Sequence, residues 1–167
     1  MTETNVAVEG MTLEEQVVAL MREKNLTLAV AESCTGGMLS SRIIDVAGVS
    51  DVYKAGFVTY ANEAKQKLIG VKEETLVQYG AVSEQTAKEM ILGALEAAEA
   101  DMAVATTGIA GPGGGTKEKP VGLVYIACGN AENIVVEKCM FNGTRSEIRQ
   151  ASVEYALGML YREIVIK

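Results

Sequence analysis

Short apolar runs alternate with helix-period segments along this chain, and a chain so patterned buries both as helices layered against a central sheet. The runs are LTLAVAE, YKAGFVTYA, DMAVATTG, VGLVYIACG and NIVVEKCMF, each too short for a helix of its own. Between them lie helix signals. Thr12 and Glu15 form a capping box before Leu13, Val17, Leu20 and Met21, which predicts a helix over about 12–24. Thr35 is placed to cap a helix over about 36–47, with Gly36 and Gly37 in its first turn. Asn62 is a natural cap for 63–69, another helical turn or two falls near 73–79, and Ser83 opens an Ala-rich helix to about Ala98. Gly143 and a second capping box, Thr144 to Glu147, open a last helix that runs nearly to the end. A tight GNAE turn joins the last two runs as a hairpin. The expected architecture is α/β: a three-layer α/β/α sandwich around a mixed, mostly parallel sheet. Residues 1–167 read as a single domain without internal repeat, and 1–10 as a polar, poorly ordered tail.

Composition narrows the chemistry more than the fold. The chain has 167 residues, enough to bury a core without disulfides. Its net charge of −7 disfavours a sequence-independent grip on nucleic acid, although a local pocket can still hold a small anion. The cysteines, Cys34, Cys128 and Cys139, are odd in number and form no C-x-x-C, as in a reducing cytoplasm. The N-terminal residues carry no signal-peptide pattern, and no apolar run approaches membrane-spanning length, so a cytoplasmic location is expected. Most constraining, the chain contains no histidine. A Ser-His-Asp triad and a Cys-His pair are both impossible, and a structural zinc site is disfavoured.

The stretch AVAESCTGGML puts Ser33 at the carboxyl end of the first run, just before a helix. Ligands collect at such strand ends in open α/β sheets. The backbone N–H groups of Cys34, Thr35, Gly36 and Gly37 would there be donors for an anion, and a hydroxyl beside such donors suits acyl transfer. The plainer reading is that Ser33 and Thr35 only cap the helix. Cys34 fits a small buried hydrophobe better than a nucleophile.

A serine without histidine can be activated by a lysine of depressed pKa. No S-x-x-K occurs, because Gly36 follows Ser33 and Ile44 follows Ser41 at that spacing. The lysine must come from another element, and Lys65 in GFVTYANEAKQKL is the candidate. With Asn62 as cap it would be the third residue of its helix. The helix dipole alone disfavours its charge by roughly 0.3–1 kcal/mol, less than about one pKa unit, so burial must supply the rest. Tyr60, at the end of the preceding strand, could orient it or relay a proton. The alternative is a solvated surface lysine.

The Gly-rich IAGPGGGTKEKP loop lacks the G-K-[ST] of a Walker A loop, and no helix follows its glycines, which excludes a dinucleotide fingerprint. It can still form a backbone nest for a phosphate or carboxylate. Thr106, Thr107 and Gly108 end the strand before it and could line the same crevice as Ser33. Arg145 is a further candidate anion contact, with a solvated arginine as the default.

Five segments, AESCTGG, GFVTYANEAK, GAVSEQTAKEM, TGIAGPGGGTKEKPVG and FNGTRSEIRQ, together and in this order resemble the CinA C-terminal domain family, from about Leu26 to Tyr161. The resemblance is to stand-alone members. It implies an α/β/α sandwich and a nicotinamide-nucleotide amidase of pyridine-nucleotide salvage, which hydrolyses the carboxamide of nicotinamide mononucleotide to nicotinate mononucleotide and ammonia. It implies Ser33 as nucleophile, with Lys65 and Tyr60 as its catalytic partners. Cys34, Thr35, Gly36, Gly37, Thr107, Gly108 and Arg145 are the expected substrate contacts. No metal and no organic cofactor is implied; the expected partner is the small nucleotide, with a homodimer or higher homo-oligomer as assembly. Two other readings stand beside it: a non-catalytic pyridine-nucleotide sensor, and a competence-related partner-binding module.

Overall fold

Strand β1 (Leu28–Glu32) is buried at every residue, as a strand flanked on both edges and covered on both faces must be. It lies second in a five-stranded sheet of order β2-β1-β3-β4-β5. The others are β2 (Tyr53–Val58), β3 (Met102–Gly108), β4 (Leu123–Gly129) and β5 (Ile134–Met140). β1 pairs in parallel with β2 and β3, whereas β3–β4 and β4–β5 are antiparallel. Only β4 therefore runs against the rest, and the sheet is mixed and mostly parallel, with the expected hairpin at its end. The computed structural model describes residues 10–166; apart from Gly10, the tail expected over 1–10 lies outside the described residues.

Six helices cover the two faces, completing the three layers. α1 (Leu13–Glu23), α2 (Met38–Ile44) and α6 (Arg145–Ile166) share one core with Leu28, Val30, Met102, Val104, Val124 and Ile126. α3 (Asn62–Ile69), α4 (Glu73–Tyr79) and α5 (Glu84–Ala98) share the other with Ala29, Ala31, Ala103, Ala105 and Ala127. Alternate side chains of a strand face opposite ways, so β1 and β3 turn their large apolar residues to one layer and their alanines, with Thr107 at the end of β3, to the other. The alanine face lets α5 sit close. At Gly93 of α5 an added Cβ would lie 1.7 Å from the Ile69 carbonyl oxygen, so α5 and the end of α3 meet backbone to backbone. Among the described residues no helix is long and apolar enough to cross a membrane.

The capping boxes at Thr12–Glu15 and Thr144–Glu147 form as read, and Ser83 accepts from the Thr86 N–H. Three boundaries differ. α2 begins at Met38 and ends at Ile44, and Thr35 does not cap it; Gly37 holds the cap position with φ +97°. β2 ends at Val58, leaving Thr59 and Tyr60 beyond the strand. Asn62 is the first residue of α3 rather than its cap, which is Ala61. The first has a clear cause: a polar side chain caps only when no stronger acceptor takes the N-terminal N–H groups, and at α2 a carboxylate does.

Candidate active site

That carboxylate is Glu32, the last residue of β1, and it is fully buried. Its Oε2 accepts from the Gly37 N–H (3.0 Å), the Leu39 N–H (3.0 Å) and the Thr35 hydroxyl (2.6 Å). Its Oε1 accepts from the Ser40 N–H (2.8 Å) and the Ser40 hydroxyl (2.7 Å). The positive end of α2 is thus neutralised from within. Since the Thr35 proton goes to Glu32, the 2.7 Å contact between Thr35 and Thr106 must be donated by Thr106, which ties the turn to β3.

Ser33 follows at once. Its N–H donates to the Thr106 carbonyl at 2.9 Å, so strand geometry reaches it, and it is 8% exposed. The chain then turns sharply. Gly36 N–H donates to the Ser33 carbonyl at 3.2 Å and Met38 N–H to the Thr35 carbonyl at 3.2 Å, with Gly36 at φ +58°. Of the four N–H groups expected as anion donors, those of Gly36 and Gly37 are therefore taken. Those of Cys34 and Thr35 have no acceptor among the described residues.

Lys65 is the fourth residue of α3 and, at 0% exposure, the largest fully buried side chain among the described residues. Its Nζ lies 3.0 Å from Ser33 Oγ, 2.8 Å from the Thr59 carbonyl and 3.4 Å from the Tyr60 carbonyl. Burial pulls its pKa down from 10.5 to about 8. A neutral amine has two N–H donors and one lone pair. The two carbonyls receive the donors, which leaves the lone pair for the Ser33 hydroxyl. Burial acts the other way on the neighbouring Cys34, whose thiol is pushed up to about 11. The Ser33 hydroxyl therefore lies against the amine, and the cysteine remains a protonated buried thiol.

A cavity of about 250 Å³ is lined by Ser33, Cys34 and Lys65 together with Gly108, Gly111 and Gly114. Tyr60 and Arg145 stand at its mouth. Tyr60 is 62% exposed, and its phenol accepts from Arg145 Nη2 at 3.1 Å, while Arg145 Nη1 donates to the Gly111 carbonyl at 2.8 Å. Tyr60 meets Lys65 through its carbonyl rather than through its phenol. Thr107 is buried outside the lining and donates to the Ala81 carbonyl at 2.7 Å. Thr35, Gly36 and Gly37 also lie off the cavity, as parts of the turn, and the Thr35 side chain is fully buried against Glu32. A larger groove of about 620 Å³ runs between α3 and α5, but it holds neither Ser33 nor Lys65 and is bordered by surface residues such as Leu68, Lys88 and Glu96.

Sequence reasoning missed Glu32 and Arg149. A glutamate ending an otherwise apolar strand was the available signal for the first, since a buried charge requires several donors. Arg149, from the first turns of α6, donates from Nε to the Cys34 carbonyl (3.0 Å) and from Nη2 to the Thr35 carbonyl (2.9 Å). Nothing near it in sequence announces that contact.

Comparison with known proteins places the chain. Residues 10–164 match the CinA C-terminal domain family. A putative competence-damage inducible protein of Clostridioides difficile (strain 630) is 55% identical over 150 residues, covering 89% of this chain and 36% of that protein. One from Thermoanaerobacter sp. (strain X514) is 50% identical over 159 residues, 95% of this chain and 38% of that protein. The chain thus spans under two-fifths of the length of these relatives. Among solved structures, the competence/damage inducible protein CihA from Agrobacterium tumefaciens is 45% identical with a TM-score of 0.86, over 90% of this chain and 94% of that one. A CinA superfamily protein from Klebsiella pneumoniae is 34% identical with a TM-score of 0.89, over 93% and 97%.

Proposed function

The chain belongs to the CinA C-terminal domain family, and on that premise we propose that it is an amidohydrolase that releases ammonia from nicotinamide mononucleotide through a Ser33 nucleophile and a Lys65 base. The observation that carries the reading is the 3.0 Å contact between Ser33 Oγ and the amine of a fully buried lysine. Neutral Lys65 takes the hydroxyl proton as Ser33 Oγ attacks the carboxamide carbon. The oxyanion that develops is met by the Cys34 N–H at the cavity wall, with the Thr35 N–H behind it. Lys65, now an ammonium, gives its proton to the departing amine, and ammonia leaves. Water then attacks the acyl-enzyme, with Lys65 as base again, to give nicotinate mononucleotide and free Ser33.

The lining supports an anionic substrate. It carries two basic side chains, Lys65 and Arg145, and no acidic one among the described residues. When Lys65 is neutral, Arg145 is the cation left at the mouth, and the backbone of Gly111, Gly113 and Gly114 faces it. In this reading the phosphate lies against Arg145 and the glycine backbone, while the amide reaches inward to Ser33.

The test is ammonia release from nicotinamide mononucleotide by the native chain, Ser33→Ala and Lys65→Ala. Both variants should fold and lose turnover, Lys65→Ala by at least about a hundredfold, the lower range for a general base. Undiminished turnover in Ser33→Ala would remove the serine from the chemistry. Nucleotide binding without turnover by the native chain would leave the cavity as a sensor.

A further inference from the structure

The turn that follows Ser33 carries the oxyanion donors, and its own backbone bonds hold the Ser33 and Thr35 carbonyls but not that of Cys34. Peptide units are planar and trans, so the C=O and N–H of one unit point in opposite directions; the one cis bond among the described residues is Gly111–Pro112. Pulling a carbonyl one way therefore aims the next residue's N–H the other way. Arg149 pulls two successive carbonyls. Its Nε holds the Cys34 carbonyl at 3.0 Å, which orients the Thr35 N–H. Its Nη2 holds the Thr35 carbonyl at 2.9 Å, which orients the Gly36 N–H. Gly36 in turn donates to the Ser33 carbonyl at 3.2 Å, and that peptide unit carries the Cys34 N–H. Both free donors of the turn thus lie at the ends of hydrogen-bonded peptides that begin on one guanidinium. Its charge polarises each peptide in the direction that strengthens the N–H, because linked hydrogen bonds reinforce one another.

We propose that Arg149 is a positioning residue that sets the oxyanion donors of Cys34 and Thr35 through the backbone of the turn, without touching the substrate. The inference rests on the amidase reading. It requires the fork of an arginine, whose Nε and Nη2 hold the two carbonyls at a fixed spacing in one plane, whereas a lysine brings a single nitrogen on a flexible stem. Gly36 belongs to the same arrangement: a Cβ there would lie 3.3 Å from Arg149 Nη2, so a bare backbone lets the guanidinium settle against the turn.

The experiment compares Arg149→Lys and Arg149→Gln with the native chain, each first checked for native far-UV circular dichroism. Ammonia release from nicotinamide mononucleotide should show kcat lowered by about ten- to a hundredfold, part of the hundred- to thousandfold that deletion of one oxyanion donor costs. KM should stay within about threefold, and the midpoint of the pH–rate limb should not move, because Lys65 is untouched. A kcat within twofold of native would overturn the proposal, as would a loss confined to KM or a displaced pH limb. A second readout separates this from failure of the amidase reading. An alkyl fluorophosphonate forms a bond from Ser33 Oγ to phosphorus and expels fluoride, the hydroxyl proton passing to Lys65, and its phosphoryl oxygen requires the same donors. If the native chain releases no ammonia but is phosphonylated at Ser33, the amidase reading fails and Arg149→Lys should still label about tenfold more slowly. Equal labelling rates, or a native Ser33 that takes neither substrate nor probe, would overturn the inference.

Discussion

Replacing Lys65 by methionine separates the titration of this side chain from every other contribution to stability. In the unfolded chain Lys65 titrates near 10.5, and in the native fold burial brings it to about 8. Between those values the unfolded state binds one proton that the native state does not, so native stability rises with pH across that window and is level below and above it. One pKa unit corresponds to about 1.4 kcal/mol, so the full window is worth about 3 kcal/mol, most of which falls between pH 7 and pH 10. Methionine has nearly the same length and no proton. Its loss of the bonds to Ser33, Thr59 and Tyr60 lowers stability, but by an amount independent of pH. The assay is urea unfolding of both chains at pH 7, 8, 9 and 10, reading the difference in free energy. Differencing cancels the tyrosines, cysteines and other lysines that titrate in the same range. Relative to Lys65→Met, the native chain should gain roughly 2 to 3 kcal/mol from pH 7 to pH 10. A difference flat across that range would mean that Lys65 titrates as it does in water, and the base of the proposed mechanism would then be fully protonated at neutral pH.

Activity should follow the same proton: since the neutral amine is the working form, kcat/KM should rise with pH through a limb near 8 and level off above it, read from ammonia release under first-order conditions. Glu32→Gln places an N–H₂ against donors that now face an oxygen, and chemical unfolding should show a loss of about 3 kcal/mol, with turnover reduced because Ser33 is the next residue. Gly93→Ala should not deliver the roughly 1 kcal/mol that alanine gains over glycine in a helix. The added Cβ meets the Ile69 carbonyl oxygen at 1.7 Å, so α3 and α5 must part, and a thermal melt should register a net loss of about 2 kcal/mol, within the range for overpacking.

Much of the layer order was legible because it is local. LAVAE and MAVATTG read as buried strands from five to seven residues alone, and the Thr12 and Thr144 capping boxes each need only four. Thr35 was misread as a cap because its neighbour Glu32 is a stronger acceptor, and a side chain's preference for an N-cap counts only against what else is in reach. The pairing of Ser33 with Lys65 spans 32 positions; absence of histidine narrowed the choice to a lysine, the place of Lys65 in the first turn of a helix made it the candidate, and the family resemblance then pointed to the same residue. Its burial could not be read from NEAKQKL, a segment otherwise polar. Arg149 was invisible for a further reason: it acts on carbonyl groups, which every residue has, so no residue type at 34 or 35 marks the contact.

The site draws on both helical layers. Lys65 is delivered by α3 from one face of the sheet, whereas Arg145 and Arg149 come from α6, which packs on the other. A refolding chain with only one layer docked has either a base without an ordered turn or an ordered turn without a base. Recovery of turnover should therefore lag behind recovery of helical ellipticity, timed by whichever layer docks second. If the chain is the amidase proposed, a half-assembled chain would be chemically silent until both layers have closed on the sheet.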